Sequence, residues 1–132
     1  MSNTTITQID WGNVIAGDEV FEPGQLTFAA EDTVLSGTIL ARDSVTKNWV
    51  PFVVGGTTNE NGIPKGILTY EVSATAAVDV AIRAMVHGKV KTERLIIHAD
   101  EDGSNVDADV LDQLRVYGIT AENIKQLGRQ ET

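Results

Sequence analysis

The chain has 132 residues, 42% of them hydrophobic and 22% charged, with no cysteine and a formal net charge of −9. A chain this long makes one domain, which buries roughly two-thirds of the surface it exposes when unfolded, and without cysteine it has no disulfide, thiolate nucleophile or Cys-ligated zinc. Nucleic acid and acidic lipid surfaces are both poor partners for it, since they call for a basic patch and the ten Lys and Arg are scattered singly; the expected partner is another protein.

No stretch approaches the roughly 18 apolar residues of a membrane span. Met1-Ser2-Asn3-Thr4-Thr5 lacks a basic start followed by an apolar run, so no signal peptide is expected and the chain reads as a soluble product of the cytosol. Residues 1–23 are Thr- and Asn-rich, with Ile6, Ile9, Trp11, Val14 and Ile15 standing alone among polar neighbours and glycines at Gly12 and Gly17. That spacing fits neither a helix nor a strand. It reads as an extended arm preceding a domain over 24–132, the alternative being a frayed terminus.

From Gln25 the chain turns to short apolar runs parted by turn residues, with candidate strands at 26–29, 37–42, 49–54, 66–72 and 78–90. Short strands at this spacing predict a small antiparallel barrel or sandwich. The clearest is the last. Val78, Val80, Ile82, Ala84 and Val86 fall on one face, expected in the core, and Asp79, Ala81, Arg83, Met85 and His87 on the other, expected toward solvent or a neighbour. The period then changes: Val110, Leu111, Leu114 and Tyr117 recur at helical spacing behind Asp107, an N-cap by type, with Val106 placed to staple onto Leu111. Gly118 suits the left-handed stop of that helix, with Ile119 packing back on it. Thr120 reads as a second N-cap, for a short helix over 121–127 that ends at Gly128. The fold class expected is therefore mainly β within α+β, with one or two short C-terminal helices.

The search for chemistry finds no catalytic, metal or cofactor residues. His87 and His98 are eleven apart, too far for a helical ligand pair. The acidic stretch 100–109 fails the calcium-loop template, with Asn105 where Gly is required and Leu111 where Glu is required. Ser44-Val45-Thr46-Lys47 has the Ser-x-x-Lys spacing without its partner motifs. The loop from Gly55 to Gly62 lacks the Gly-Lys-Ser/Thr ending of a phosphate cradle.

What remains is a pattern in the middle of the chain: Gly37-Thr38-Ile39-Leu40-Ala41-Arg42-Asp43, Thr46-Lys47-Asn48-Trp49-Val50-Pro51-Phe52, Gly66-Ile67-Leu68-Thr69-Tyr70, then Val86-His87-Gly88-Lys89-Val90 and Leu95-Ile96. With Gln113-Leu114-Arg115-Val116-Tyr117-Gly118-Ile119, it resembles the lambda-type phage head decoration proteins, also called capsid-stabilising or cement proteins, over residues 24–119. Asn48 departs from the pattern, standing where many relatives put Gly or Lys, but Asn also tolerates the left-handed turn. The resemblance implies a β-tulip type body, a homotrimer, and a place on the outer capsid surface at local threefold positions. The major capsid protein would be the partner, and Ile6, Ile9, Trp11, Val14 and Ile15 the capsid-binding side chains. Candidates for trimer contacts are Trp49, Phe52, Arg83, Met85 and His87, although Trp49 and Phe52 serve equally well as monomer core. Two other readings stand beside it: a β-barrel module binding a small ligand or carbohydrate, and an enzyme using a facing Asp/Glu pair.

Overall fold

The computed structural model describes residues 14–122. The strands are β1 (Ile15–Phe28), β2 (Asp32–Val34), β3 (Ile39–Arg42), β4 (Trp49–Pro51), β5 (Gly66–Ile67), β6 (Val72–Ala74), β7 (Val78–Lys91) and β8 (Ile119–Glu122), with a 3-10 turn at Thr92–Arg94 and a single α-helix among the described residues, α1 (Ala108–Val116). Five strands close on themselves in the order β1-β4-β3-β5-β7, because β7 pairs back onto β1. The seams are antiparallel except β1 with β4, which run parallel and meet at Leu26 and Trp49. β8 extends the sheet from β7 in parallel, and β2 and β6 form a separate antiparallel pair.

The barrel wall is apolar on both faces. In β3, Ile39 and Ala41 belong to one core cluster while Leu40 between them belongs to a second. Successive strand residues point to opposite faces, so the clusters lie on either side of the sheet. The first collects Phe52, Ile67, Met85, Val90, Leu95, Ile97, Val110, Leu114 and Ile119. The second collects Leu26, Phe28, Leu68, Ile82 and Ala84, together with Val34, Val72 and Ala74 from the β2–β6 pair. Each such side chain contributes about 1.5–3 kcal/mol by leaving water.

Double burial corrects the face assigned to Met85. The residue is fully buried, because α1 and the segment bearing Leu95 and Ile97 cover the sheet face expected to be outside. Val78, expected inside, is 48% exposed at the far end of β7. Trp49 and Phe52 are each 2% exposed and belong to the protomer's own core, so they are not surface for a trimer contact. The Trp49 indole lies against two glycines: a Cβ added at Gly24 would stand 2.8 Å from Nε1, and one at Gly66 2.9 Å from Cζ3. The Arg42 guanidinium sits 5.3 Å from the ring centre and bonds Glu22 of β1 at 2.6 Å. Nε1 itself has no hydrogen-bond partner among the described residues.

β1 is longer than the sequence suggests, and residues 15–23, expected in the arm, are strand. Pairing with β7 runs from Ile15 opposite Val90 to Phe28 opposite Val78. Its register slips at three places between Ile15 and Phe21, with Gly17 at φ 145° and Asp18 at φ 56°. Bulges of this kind erase the two-residue period by which a strand is read. The body therefore begins by residue 14, not 24.

At the other end, Asp107 caps α1 as expected, its Oδ1 accepting from the Val110 N–H at 3.1 Å. Gly118 stops the helix at φ 98°, and Ile119 is fully buried behind it. The helix expected over 121–127 does not start there: Ala121 and Glu122 belong to β8, opposite Val90 and Lys91 of β7. The remainder of that expected helix lies outside the described residues.

Candidate docking surfaces

β7 has two poles. At its start, Thr27 pairs with Asp79, and Asn48 from the β3–β4 turn reaches both side chains, Thr27 at 3.1 Å and Asp79 at 3.3 Å. That turn is held by Asp43, whose Oδ1 accepts from the Val45 and Thr46 N–H groups at 2.8 and 3.0 Å. Those bonds, Thr46 foremost, hold the carboxyl below the usual carboxylate range. At the finish of β7, Val90 lies between Ile15 of β1 and Ala121 of β8. Val14 is 1% exposed, and its carbonyl accepts from the Lys91 N–H at 2.8 Å. Lys89 stands between Asp18 at 3.8 Å and Glu122 at 3.9 Å; exposed pairs of this kind contribute up to about 1 kcal/mol.

These placements redistribute the side chains expected at a capsid. Ile6, Ile9 and Trp11 lie outside the described residues. Val14 sits in the first core cluster and Ile15 packs against it, so these two form the root from which residues 1–13 depart. Of the outward trio on β7, Arg83 and His87 remain exposed while Met85 does not. The Arg83 guanidinium lies 5.6 Å from the Phe21 ring centre, and its backbone N–H donates to the Tyr70 hydroxyl at 3.0 Å. His87 is paired with Val20 and touches the backbone at Gly118, where an added Cβ would stand 2.9 Å from its Cδ2. Near it, Val116 is 76% exposed and Tyr117 43%. The helical spacing had assigned Tyr117 to the core face, and Val116 lies one position off that stripe.

The acidic stretch 100–109 is used for local structure. Asp102 Oδ1 accepts from the Ser104 N–H at 2.9 Å, Asp100 Oδ2 from the Asn105 amide at 2.8 Å, and Asp107 caps α1. Among the described residues no three His, Cys, Asp or Glu side chains group as a metal site. An open groove of 480 Å³ beside Val14 is lined partly by Glu71, Glu93, Arg94, Glu101 and Asp102. Hydrogen bonds from Ser104 lower the Asp102 pKa, opposite to the raised pKa that a proton-donating carboxyl of an acid pair needs.

A family model of bacteriophage lambda head decoration protein D matches residues 14–119. The chain belongs to that family. The match begins at Val14, the buried root of the leading segment, and ends at Ile119, the first residue of β8. Membership gives the chain a role in decorating the phage capsid, as a structural component of the virion. No curated protein matches the chain.

Proposed function

We propose that this head decoration protein is a clamp on the outer surface of the mature head. It would bind the major capsid protein as a homotrimer at local threefold positions and hold neighbouring shell subunits together against the pressure of packed DNA. The observation that carries this reading is the family match over the whole closed body. The geometry at the finish of β7 supports it. Residues 1–13 depart from a root fixed by the burial of Val14 and by its bond to Lys91, so tension on that segment passes into the barrel.

Such a clamp needs no chemistry; it makes subunit separation harder. Ile6, Ile9 and Trp11 entering apolar gaps would contribute about 1.5–3 kcal/mol each, against about 1–2 kcal/mol for every residue ordered. An arm alone is therefore a weak holdfast. The folded body and the linkage of three copies supply the rest, through effective concentration. Arg83 and His87, both exposed, are the remaining candidates for contacts between copies.

The test is to mix purified protein with expanded, undecorated shells, then measure co-sedimentation and the shells' heat resistance. The expected result is saturable binding and a higher disruption temperature. Deleting residues 1–13, which leaves all described strands intact, should preserve the melting curve and weaken binding at least tenfold. Shells that pellet without the protein would reject the clamp.

A further inference from the structure

We propose that Asn61 is a site of spontaneous deamidation, held in check by the loop that contains it. Of the seven asparagines in the chain, only this one is followed by glycine, which puts no Cβ in the path to its backbone nitrogen. The step needs water and no enzyme. The Gly62 nitrogen attacks the Asn61 Cγ and a C–N bond forms; the Cγ–Nδ2 bond breaks, and the Gly62 N–H proton leaves with the amide nitrogen as ammonia. Water then opens the cyclic imide at either carbonyl. The product is an aspartate at 61 or its isomer, in which the main chain runs through the side-chain carbon.

The fold imposes this reactive pair. A Cβ at Gly62 would stand 2.2 Å from the Gly56 carbonyl oxygen, so a side chain there has no room. Asn61 closes the loop with three bonds. Its N–H donates to the Thr58 carbonyl at 2.9 Å, its carbonyl accepts from the Val53 N–H at 2.9 Å, and its Oδ1 accepts from the Thr58 N–H at 3.2 Å. The side-chain amide is thereby pinned back on the residue three before it and is not free to swing onto the nitrogen of the residue after. Conversion must wait until the loop opens. Opening requires little: Val53 and Val54 are 40% and 54% exposed, so the segment has few apolar contacts to break. Once converted, the loop cannot close as before. The product adds a negative charge beside Glu60, and the isomer lengthens the main chain, displacing the carbonyl that Val53 uses. Asn61 therefore records openings of this loop irreversibly, whether or not the body clamps a shell.

The experiment incubates the full chain at mildly alkaline pH, folded and in concentrated urea, and follows ammonia release and peptide mass maps. Mapping separates this site from Asp102-Gly103, which forms the same kind of imide by losing water instead of ammonia. Conversion is expected at 61 ahead of every other asparagine, and at least tenfold slower in the folded protein than in urea. Gly56→Ala tests the pinning, since its Cβ would stand 2.2 Å from the Asn61 Oδ1 and push the amide off Thr58. The folded variant should convert several-fold faster than the folded parent. Where that variant does not fold, the parent is followed in urea below its unfolding midpoint, and the rate at 61 should rise before the global transition. Absence of conversion at 61 in urea overturns the site. Equal rates in the folded and urea-unfolded parent overturn the restraint by the loop. So does a folded Gly56→Ala that converts no faster, or a rate at 61 that only tracks global unfolding.

Discussion

The two halves of β7 are built to different rules. From Val78 to Met85 the strand pairs with β1 residue for residue; Ile82 and Ala84 pack into the second core cluster. From Val86 to Lys91 the pairing with β1 slips, Gly88 takes φ 132°, and β8 adds a second neighbour. Regular pairing serves the half whose task is to close a barrel. Irregular pairing serves the half where the chain enters and leaves, because bulges turn strand ends away from the sheet. One strand thus closes the barrel at its start and takes β1 and β8 on its two sides at its finish.

That contrast breaks most plainly at Ile82, which is 4% exposed. Ile82→Asp puts an unpaired charge in the core at a cost of about 4–5 kcal/mol or more, and should leave no cooperative thermal transition by circular dichroism. A native-like melt would reject the regular half as the scaffold. Next comes the pair Met85 and His87, two positions apart on the strand. Met85→Ala should cost about 2–5 kcal/mol in urea unfolding, and His87→Ala within about 0.5 kcal/mol of nothing; equal effects would restore a uniformly outward face. Gly88→Ala sharpens the comparison, since its Cβ would stand 2.8 Å from the Asp18 carbonyl oxygen at a left-handed φ. A cost of about 1–3 kcal/mol is expected, with faster amide exchange near Gly17 and Lys89 and little change from 78 to 83.

The smallest effect concerns Asp32, whose Oδ2 lies 2.6 Å from His98 Nε2. The His98 hydrogen bond, then the Thr33 N–H, lowers its pKa from the usual 3.8. A carboxyl depressed on folding contributes stability above its unfolded value, and the contribution is lost as pH falls through the folded value. Asp32→Asn should therefore lower the unfolding free energy measured by urea at pH 7 by less than about 1 kcal/mol for so exposed a group. The gap to the parent should close below pH 3.8; a gap that persists there would mean the contact acts through packing.

Legibility in the sequence follows the same division. The long strand from Val78, the Asp107 cap and the Gly118 stop were readable, because each rests on a local signal of period or residue type. Residues 15–23 were not, since two positive-φ residues and three register slips hide a strand inside a polar stretch. Met85 was misassigned because alternation reveals two faces but not that a helix distant in sequence covers the second. Thr120 has the type of an N-cap, yet pairing along Gly88–Lys91 made its segment a strand, a tertiary contact overriding a local preference.

Among the described residues, β4 pairs with β1 only at Leu26, so β1 from residue 16 to 24 has no strand pairing on that side. A bare strand border invites identical molecules to zip together. Here Pro23 offers no N–H to a second strand, and Asp18 twists the backbone at φ 56°. A border interrupted in this way keeps a capsid decoration protein from polymerising through its own strands.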